Sequence, residues 1–418
     1  MEESCRNSGE NVENRSSKRK FLMICRPGFE TDLGEELSRS MGGISLPGLT
    51  TGPGWLACDL PGEPSAKAAL IFERQRLPGA FWMDVPRGDA LRMADLGSAV
   101  QGLLESGRAP WCLHAFTPDP QSNPGHTARV EAMGRDLVAG LQTAHAELAQ
   151  RFVPAGEPLP AHGQVVQLCL VEGGVWVSAA PLSRLTSDAP GGVHPIAGDP
   201  LAPSRSYLKL EEAFRVLERQ PTLRERVIDL GAAPGGWSYA CLKRGCHVLA
   251  VDNGPMKIKG LEDLPGLLEH RKANGLSFRP AAGWVPTDWL ISDMLVPPGE
   301  TLGLLRRWLE GGWMRRFVVN IKLPQRHPLE ALKPVETFLA GWPGLRYRMV
   351  QLYHDRREVT VTGELTTLPP AREATKKPRE AGMKTHPRGA KSKKPTRRPP
   401  KQPGKKPVQP AARRRKRR

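Results

Sequence analysis

No two of the seven cysteines (Cys5, Cys25, Cys58, Cys112, Cys169, Cys241 and Cys246) are spaced as CxxC, and their number is odd. That excludes a disulfide framework and a structural zinc site of the usual spacing, and it fits a reducing compartment. No apolar run approaches the roughly 18 residues of a membrane span, and the opening stretch MEESCRNSGENVENRSSKRK is polar. Neither a signal peptide nor a transmembrane helix is expected, and the expected location is the cytoplasm. Also missing is a charge imbalance in the body of the chain. The formal net charge is +18, but Ala371 to Arg418 alone carry twenty Lys/Arg against two Glu. The preceding 370 residues are balanced, with 41 basic and 41 acidic groups. Basicity therefore says something about the tail and nothing about the folded part.

What is present is one organising stretch, VIDLGAAPGGWS, Val227 to Ser238. Val227 to Leu230 is a short apolar run suited to a buried parallel strand. Gly231-Ala232-Ala233-Pro234-Gly235-Gly236 interrupts it, and Trp237 to Lys243 resumes with helical character. Strand, Gly-rich turn and helix make the first half of a nucleotide-binding α/β unit, in which glycines let the backbone approach a ligand. The stretch lacks the third glycine of GxGxxG and any GK[ST] of a phosphate loop. A small adenosine compound fits better than a dinucleotide or a triphosphate.

Residues 1–20 read as a disordered leader. Strands are expected at Phe21–Cys25, Trp55–Leu60 and Ala80–Val85, and helices at Thr31–Ser38 and Ala66–Gln75, an α+β cluster. A second cluster has strands at Trp111–Phe116, Val165–Leu170 and Gly174–Ala179. Its helix, at about Thr127–Phe152, has Val130, Met133, Leu137, Leu141 and Leu148 on its core side. Nothing catalytic is read in either cluster, and His114 and His145 are taken as structural. Ala189–Arg205, rich in Pro and Gly, reads as a connection. A helix follows from Ser206, with Ser204 or Ser206 as N-cap and Leu210, Phe214 and Leu217 on its buried side. Further strands are expected at His247–Asp252, Leu276–Arg279, Trp289–Met294, Arg316–Leu323, Tyr347–Tyr353 and Glu358–Gly363. Helices fall at about 301–310 and 328–340. The alternation predicts a doubly wound, mostly parallel sheet with its ligand at the carboxyl ends of the strands.

Those ends carry the candidate residues. Asp252, twenty-one residues after Gly231, stands where an acid can accept both hydroxyls of a ribose. Asn274 precedes the expected third strand and could hold an adenine edge. Asp293 ends the fourth and Lys322 lies near the end of the fifth. In FVVNIKLP the lysine sits inside an apolar run, costly without a charged partner or a function.

The series SRSYLKLEEAF, DLGAAPGGWS, VDNGPM, ISDM, NIKLP and YHDRREVTV resembles the Rossmann-fold ribose 2'-O-methyltransferases. Within them it is most similar to the ribosomal large subunit methyltransferase M family, which acts on a cytidine of 23S rRNA. The likeness runs from about Phe21 to Val361. It is weaker over the first half, where it rests on ICRPGFE, LIFERQR and GVHPIAG leading into APSRS.

The resemblance implies a ferredoxin-like region at 21–95 and a THUMP-like RNA-capture region at 96–188. A linker at 189–205 and a Rossmann-like methyltransferase domain at 206–365 follow, with 366–418 a disordered basic tail. It implies S-adenosyl-L-methionine as methyl donor, held by Ser206, Ala233, Pro234, Gly235, Gly236, Asp252, Asn274 and Asp293, with no metal. Lys322 would be the base, with Lys209 and Asp293 beside it and Glu358 completing the group; His354 is a substitute for Glu358. Asn274 stands where the family usually has aspartate, and the tail after Leu365 is not part of the family's body.

The chemistry is consistent with that assignment. A ribose hydroxyl needs its proton removed, whereas a sulfonium methyl is already activated, so a base and in-line alignment suffice. Burial and a second cation, Lys209, would lower the pKa of Lys322, while Asp293 and Glu358 would orient the group. The expected partners are 23S rRNA or a large-subunit precursor, with non-specific RNA contacts through the tail, no membrane, and a monomer. Two alternatives stay open: a base-directed rRNA or tRNA methyltransferase, and a non-catalytic RNA-binding assembly protein. The first would carry NPP[YF] or a catalytic cysteine at the fourth strand, where this chain reads SDML.

Overall fold

A computed structural model describes residues 19–62, 64, 70–85, 93–105 and 107–367. Residues 1–18 of the leader, 66–69 of the expected helix at Ala66–Gln75 and the basic tail beyond 367 lie outside the described residues; Lys20, counted in the leader, opens a strand.

The first half opens with β1 (Lys20–Ile24), α1 (Glu30–Ser40), β2 (Thr50–Gly52), β3 (Trp55–Cys58) and the long β4 (Gln75–Asp84). It continues with α2 (Met93–Leu104), β5 (Trp111–Phe116), α3 (Pro124–Ala144), α4 (Ala146–Arg151), β6 (Gln164–Val171) and β7 (Gly174–Pro181). Both α+β clusters share one seven-stranded sheet, in the order β2-β3-β1-β4-β7-β6-β5. β4 joins them by pairing β1 along its first half, Gln75 opposite Ile24, and β7 along its second, Phe81 opposite Val177. At the handover Pro78 can donate nothing and Gly79 has φ +61°, so the ladder to β1 is irregular there. The Ser178 hydroxyl donates to the freed Pro78 carbonyl at 2.7 Å.

Two expectations differ in this half. The helix expected over Thr127–Phe152 is two helices, because His145 is extended at φ −136° and ψ 91° between them. Of the helix expected at Ala66–Gln75, the described part is not helical and Gln75 opens β4.

The second half comprises α5 (Tyr207–Val216), β8 (Arg226–Leu230), α6 (Gly236–Leu242), β9 (His247–Val251), β10 (Leu267–Arg271) and β11 (Thr287–Ser292). It ends with α7 (Pro298–Glu310), β12 (Met314–Lys322), α8 (Pro328–Ala340), β13 (Leu345–Val350) and β14 (Glu358–Leu365). Its sheet has the order β10-β9-β8-β11-β12-β14-β13. β8 to β12 run parallel, and β14 is antiparallel to both neighbours. Sequential strands spread outward on either side of β8 and β11, which makes that boundary the switch point where such sheets bind ligands.

Apart from the edge strand β10, the parallel strands are buried on both faces: Val227, Ile228, Leu290 and Val318 have no exposed surface. One apolar cluster runs from Phe29, Leu33 and Phe72 in the first half to Leu332 and Val335 of α8 in the second. The two halves also meet at the β13–β14 turn, where Gln351 N donates to Ile71 O at 2.7 Å and Arg26 to Tyr353 O at 3.2 Å.

The strand expected at Leu276–Arg279 is absent; the sheet's third strand on that side is β10. β10 is an edge strand of sequence LLEHR, mostly exposed, so it carries little of the apolar signal that marks the others. α5 starts at Tyr207 with Ser206 in helical conformation and no side-chain cap; the Ser206 hydroxyl pairs with that of Ser204 at 2.7 Å. Leu210 and Phe214 are buried and Leu217 partly so. No helix among the described residues is long and apolar enough to cross a membrane.

Candidate active site

Four charged side chains converge at the carboxyl end of the switch point. Asp293 follows β11, Lys322 is the last residue of β12 and Glu358 the first of β14. Lys322 and Glu358 are direct partners in the antiparallel register, so the sheet itself places them side by side. Lys209 reaches in from α5.

The four form an alternating ring. Asp293 Oδ1 accepts from Lys322, and Oδ2 lies 3.2 Å from Lys209 Nζ. Glu358 closes the ring with Oε1 on Lys209 and Oε2 on Lys322. All four side chains are largely buried, 8% exposed for Glu358 and 17% at most for the others. Charges in such a place persist only when paired. Burial disfavours the charge on Lys209, but Asp293 and Glu358 outweigh it and its pKa is raised. Burial likewise opposes ionisation of Glu358, yet Lys322 and Lys209 hold its carboxyl below the usual range.

Beside the ring lies a cradle of backbone. Gly235, at φ +114°, turns the chain into α6, and a Cβ there would come within 2.8 Å of Ile258. A Cβ on Gly236 would approach the hydroxyls of Ser204 and Ser206 to 2.4 and 2.6 Å. The Ser206 carbonyl accepts from the Trp237 indole at 2.9 Å, fixing the start of α5 against α6. At the end of β9, Asp252 accepts from Ala233 N at 3.1 Å and Gly254 N at 2.7 Å, joining its loop to the Gly-rich turn. Under the turn, Asp229 is buried and accepts from the Ser238 hydroxyl at 2.7 Å; burial pushes its carboxyl up to about 7.

Asn274 follows β10 rather than preceding a strand, so it too sits at a carboxyl end. Its Oδ1 closes a turn on Leu276 N at 2.9 Å. His354, the substitute considered for Glu358, has Nδ1 2.8 Å from Glu212, and the carboxylate facing both lysines is Glu358.

Sequence reasoning passes over four residues that the structure brings into the second layer: Glu212, Asn320, Asp355 and Thr360. Asn320 was findable, since it is a polar residue inside the apolar run FVVNI, the sign that singles out Lys322; Thr360 was not, since it stands in the alternation EVTVT that an ordinary half-exposed strand also shows. Glu212 and Asp355 lie in charged stretches, where burial leaves no mark. Glu212 accepts from Tyr353 N at 2.9 Å and His354 N at 3.1 Å, tying the helix of Lys209 to the turn that precedes Glu358.

A seven-stranded sheet with one reversed strand, a Gly-rich turn after β8 at the switch point and a Lys-Asp-Lys-Glu ring define a Rossmann-type methyltransferase. Residues 202–301 match the FtsJ-like methyltransferase family. Ribosomal RNA large subunit methyltransferase M of Laribacter hongkongensis is 33% identical over 368 residues, covering 82% of this chain and 95% of that protein. The proteins of the same name from Xanthomonas oryzae and Marinomonas sp. are 31% and 30% identical, each over 82% of this chain and 98% of its own length. The chain belongs to the ribosomal RNA large subunit methyltransferase M family. The solved structure of TrmN from Thermus thermophilus is similar at 17% identity and a TM-score of 0.33, over 83% of this chain and 99% of that one.

Proposed function

We propose that this enzyme methylates the ribose 2'-hydroxyl of a cytidine in 23S rRNA, using S-adenosyl-L-methionine and Lys322 as general base. The observation that carries this reading is the alternating ring of Lys209, Asp293, Lys322 and Glu358 beside a cradle with no room for side chains. The residues fit the donor. Asp252 retains lone pairs for ribose hydroxyls, and the turn at Gly231, Gly235 and Gly236 packs so closely on Met294, Ile258, Ser204 and Ser206 that no side chain fits there. Among the described residues no group of three His, Cys, Asp or Glu could hold a metal ion.

When bound, S-adenosyl-L-methionine supplies a methyl group already activated on a sulfonium cation. The protein's share is alignment and proton removal. With both lysines protonated the ring is neutral, and its four salt contacts hold the protons in place. Lys322 becomes a base by losing its proton. Lys209 holds a second positive charge beside it, and Asp293 and Glu358 each bind both amines. Glu358 and Asp293 each hold both lysines, so they keep the amine aimed while its charge changes. Asp293, at the end of β11, is followed by Met294, which packs on Gly231 of the Gly-rich turn.

RNA capture falls to 21–188, and the twenty Lys/Arg after Ala371 add phosphate contacts that strengthen binding without selecting a sequence. Mapping 2'-O-methyl groups on rRNA from cells with and without the protein tests the reading. Loss of one cytidine modification is expected; an unchanged map overturns it.

A further inference from the structure

Beneath the ring lies a second, fully buried polar chain. Asp293 accepts from two lysines, so Asn320 must turn its amide nitrogen toward it, and Nδ2 lies 3.0 Å from Asp293 Oδ1. That leaves Asn320 Oδ1 facing the Thr360 hydroxyl at 2.7 Å. An amide oxygen only accepts, so the single proton of Thr360 is committed there. Yet Thr360 Oγ1 is also 2.9 Å from Asp355 Oδ2. With the Thr360 proton used, this second bond exists only if Asp355 supplies a proton.

We propose that Asp355 is held as a neutral carboxylic acid and, through Thr360 and Asn320, positions the carboxylate of Asp293 between the two lysines. This rests on the methyl-transfer reading above, with Asp355 a positioning residue and not a catalytic one. Asp355 Oδ2 also accepts from Leu352 N at 3.0 Å, and an acid hydroxyl is a group that accepts and donates at one atom. Asp355 has no exposed surface, and its other oxygen has no hydrogen-bond partner. An ionised carboxylate would bury a charge with one side unpaired. Of the charged groups facing it, Glu358 and Glu212 repel a negative charge and Lys209 attracts one; burial is the largest influence and the net direction is up.

Every donor in the chain points the same way, from Asp355 to Thr360 to Asn320 to Asp293. Reversing one link reverses the rest and turns the Asn320 carbonyl oxygen onto a carboxylate. The chain therefore fixes one orientation of Asp293, in which Oδ1 serves Lys322 and Oδ2 serves Lys209.

The test compares full-length wild type with Thr360→Val, Thr360→Ser and Asp355→Asn in single-turnover methyl transfer to unmodified rRNA. Thr360→Val keeps the shape and loses the hydroxyl. Its kcat should fall roughly ten- to a hundredfold with KM for RNA and methyl donor unchanged, as for a bond to a charged group. Thr360→Ser should recover most of that loss. Asp355→Asn should behave like Thr360→Val, because an amide nitrogen cannot accept from Leu352 N while donating to Thr360. An infrared difference spectrum, wild type minus Asp355→Asn at neutral pH, should show the carbonyl stretch of a carboxylic acid. Wild-type kcat in Thr360→Val, no rescue by serine, or a carboxylate band in place of the acid overturns the proposal. Were Thr360→Val not to fold, the serine variant and the spectrum decide. A wild-type protein inactive on every rRNA would overturn the methyl-transfer reading instead, while the acid band would still report the state of Asp355.

Discussion

The two sheets each bury a cluster of opposite charges, and the two clusters are wired differently. In the first, Glu73 and Arg76 form a paired couple with side chains 0% and 3% exposed. Glu73 Oε1 also accepts from the Thr186 hydroxyl at 2.6 Å, and Gln75 closes the surroundings through Ser187 O at 2.8 Å. Glu73 holds Arg76 with both of its oxygens, and the pair is sealed from solvent. In the second, each carboxylate is shared by two lysines, and the ring keeps a little exposed surface beside a backbone cradle. A sealed pair fixes structure, because both of its groups are shut away from solvent. A shared ring leaves a lysine that can give up a proton without leaving a carboxylate unpaired, because the other lysine still serves both acids.

This difference can be broken at several points. The largest effect is expected from Lys322→Ala, which should lower the single-turnover rate by roughly 100- to 10,000-fold, the usual worth of a general base. Equilibrium binding of S-adenosyl-L-methionine should be largely retained. Substantial residual turnover would remove Lys322 from the role of base.

Glu73→Ala should do the reverse. Removing the buried carboxylate that faces Arg76 should cost about 3–5 kcal/mol of stability, read by denaturant unfolding, while kcat of the folded protein stays near wild type. A large loss of kcat at unchanged stability would erase the distinction between the two clusters.

A smaller effect is expected from Glu212→Gln. It keeps the shape but weakens three bonds to the Tyr353–His354 turn, so kcat should fall about tenfold. Unchanged kinetics would mean that the turn holds Glu358 without help from α5.

Acid should expose the ring's share of stability. The folded-state pKa of Glu358 is depressed, so its contribution is complete above the ordinary carboxylate value and is lost as pH falls through the lower folded value. Thermal melts of wild type and Glu358→Gln should therefore converge on acidification and stay apart at neutral pH. A gap that widens toward acid would contradict the depressed pKa.

The mildest change is truncation near residue 370. It should weaken RNA binding and flatten its dependence on salt while sparing the chemistry. An unchanged salt slope would deny the tail a role in RNA binding.

Much of the second sheet was legible in the sequence because its strands are buried on both faces and read as apolar runs, as at Val227–Leu230 and Phe317–Ile321. β10 was misplaced because an exposed edge strand needs no apolar residues. The break at His145 was also illegible, since the apolar stripe of α3 and α4 runs on past it at helical spacing. Lys322 stood out because charge inside an apolar run demands a reason. Glu212 and Asp355 did not, because carboxylates in EEAF and HDRRE look like surface groups until their burial is known.

By itself, the sequence determined which strands are buried, where the Gly-rich turn lies, and that a lysine and an aspartate stand at strand ends. Period, composition and the cost of burying charge are local properties, and they survive without coordinates. Only the tertiary structure decided that Lys209, Asp293, Lys322 and Glu358 form one ring in which each acid holds two bases. It also decided that Asp355, Thr360 and Asn320 form a one-way chain of donors beneath it. Both depend on which atoms face one another across non-adjacent strands, and a hydrogen bond is settled by distance and direction in space rather than by position along the chain.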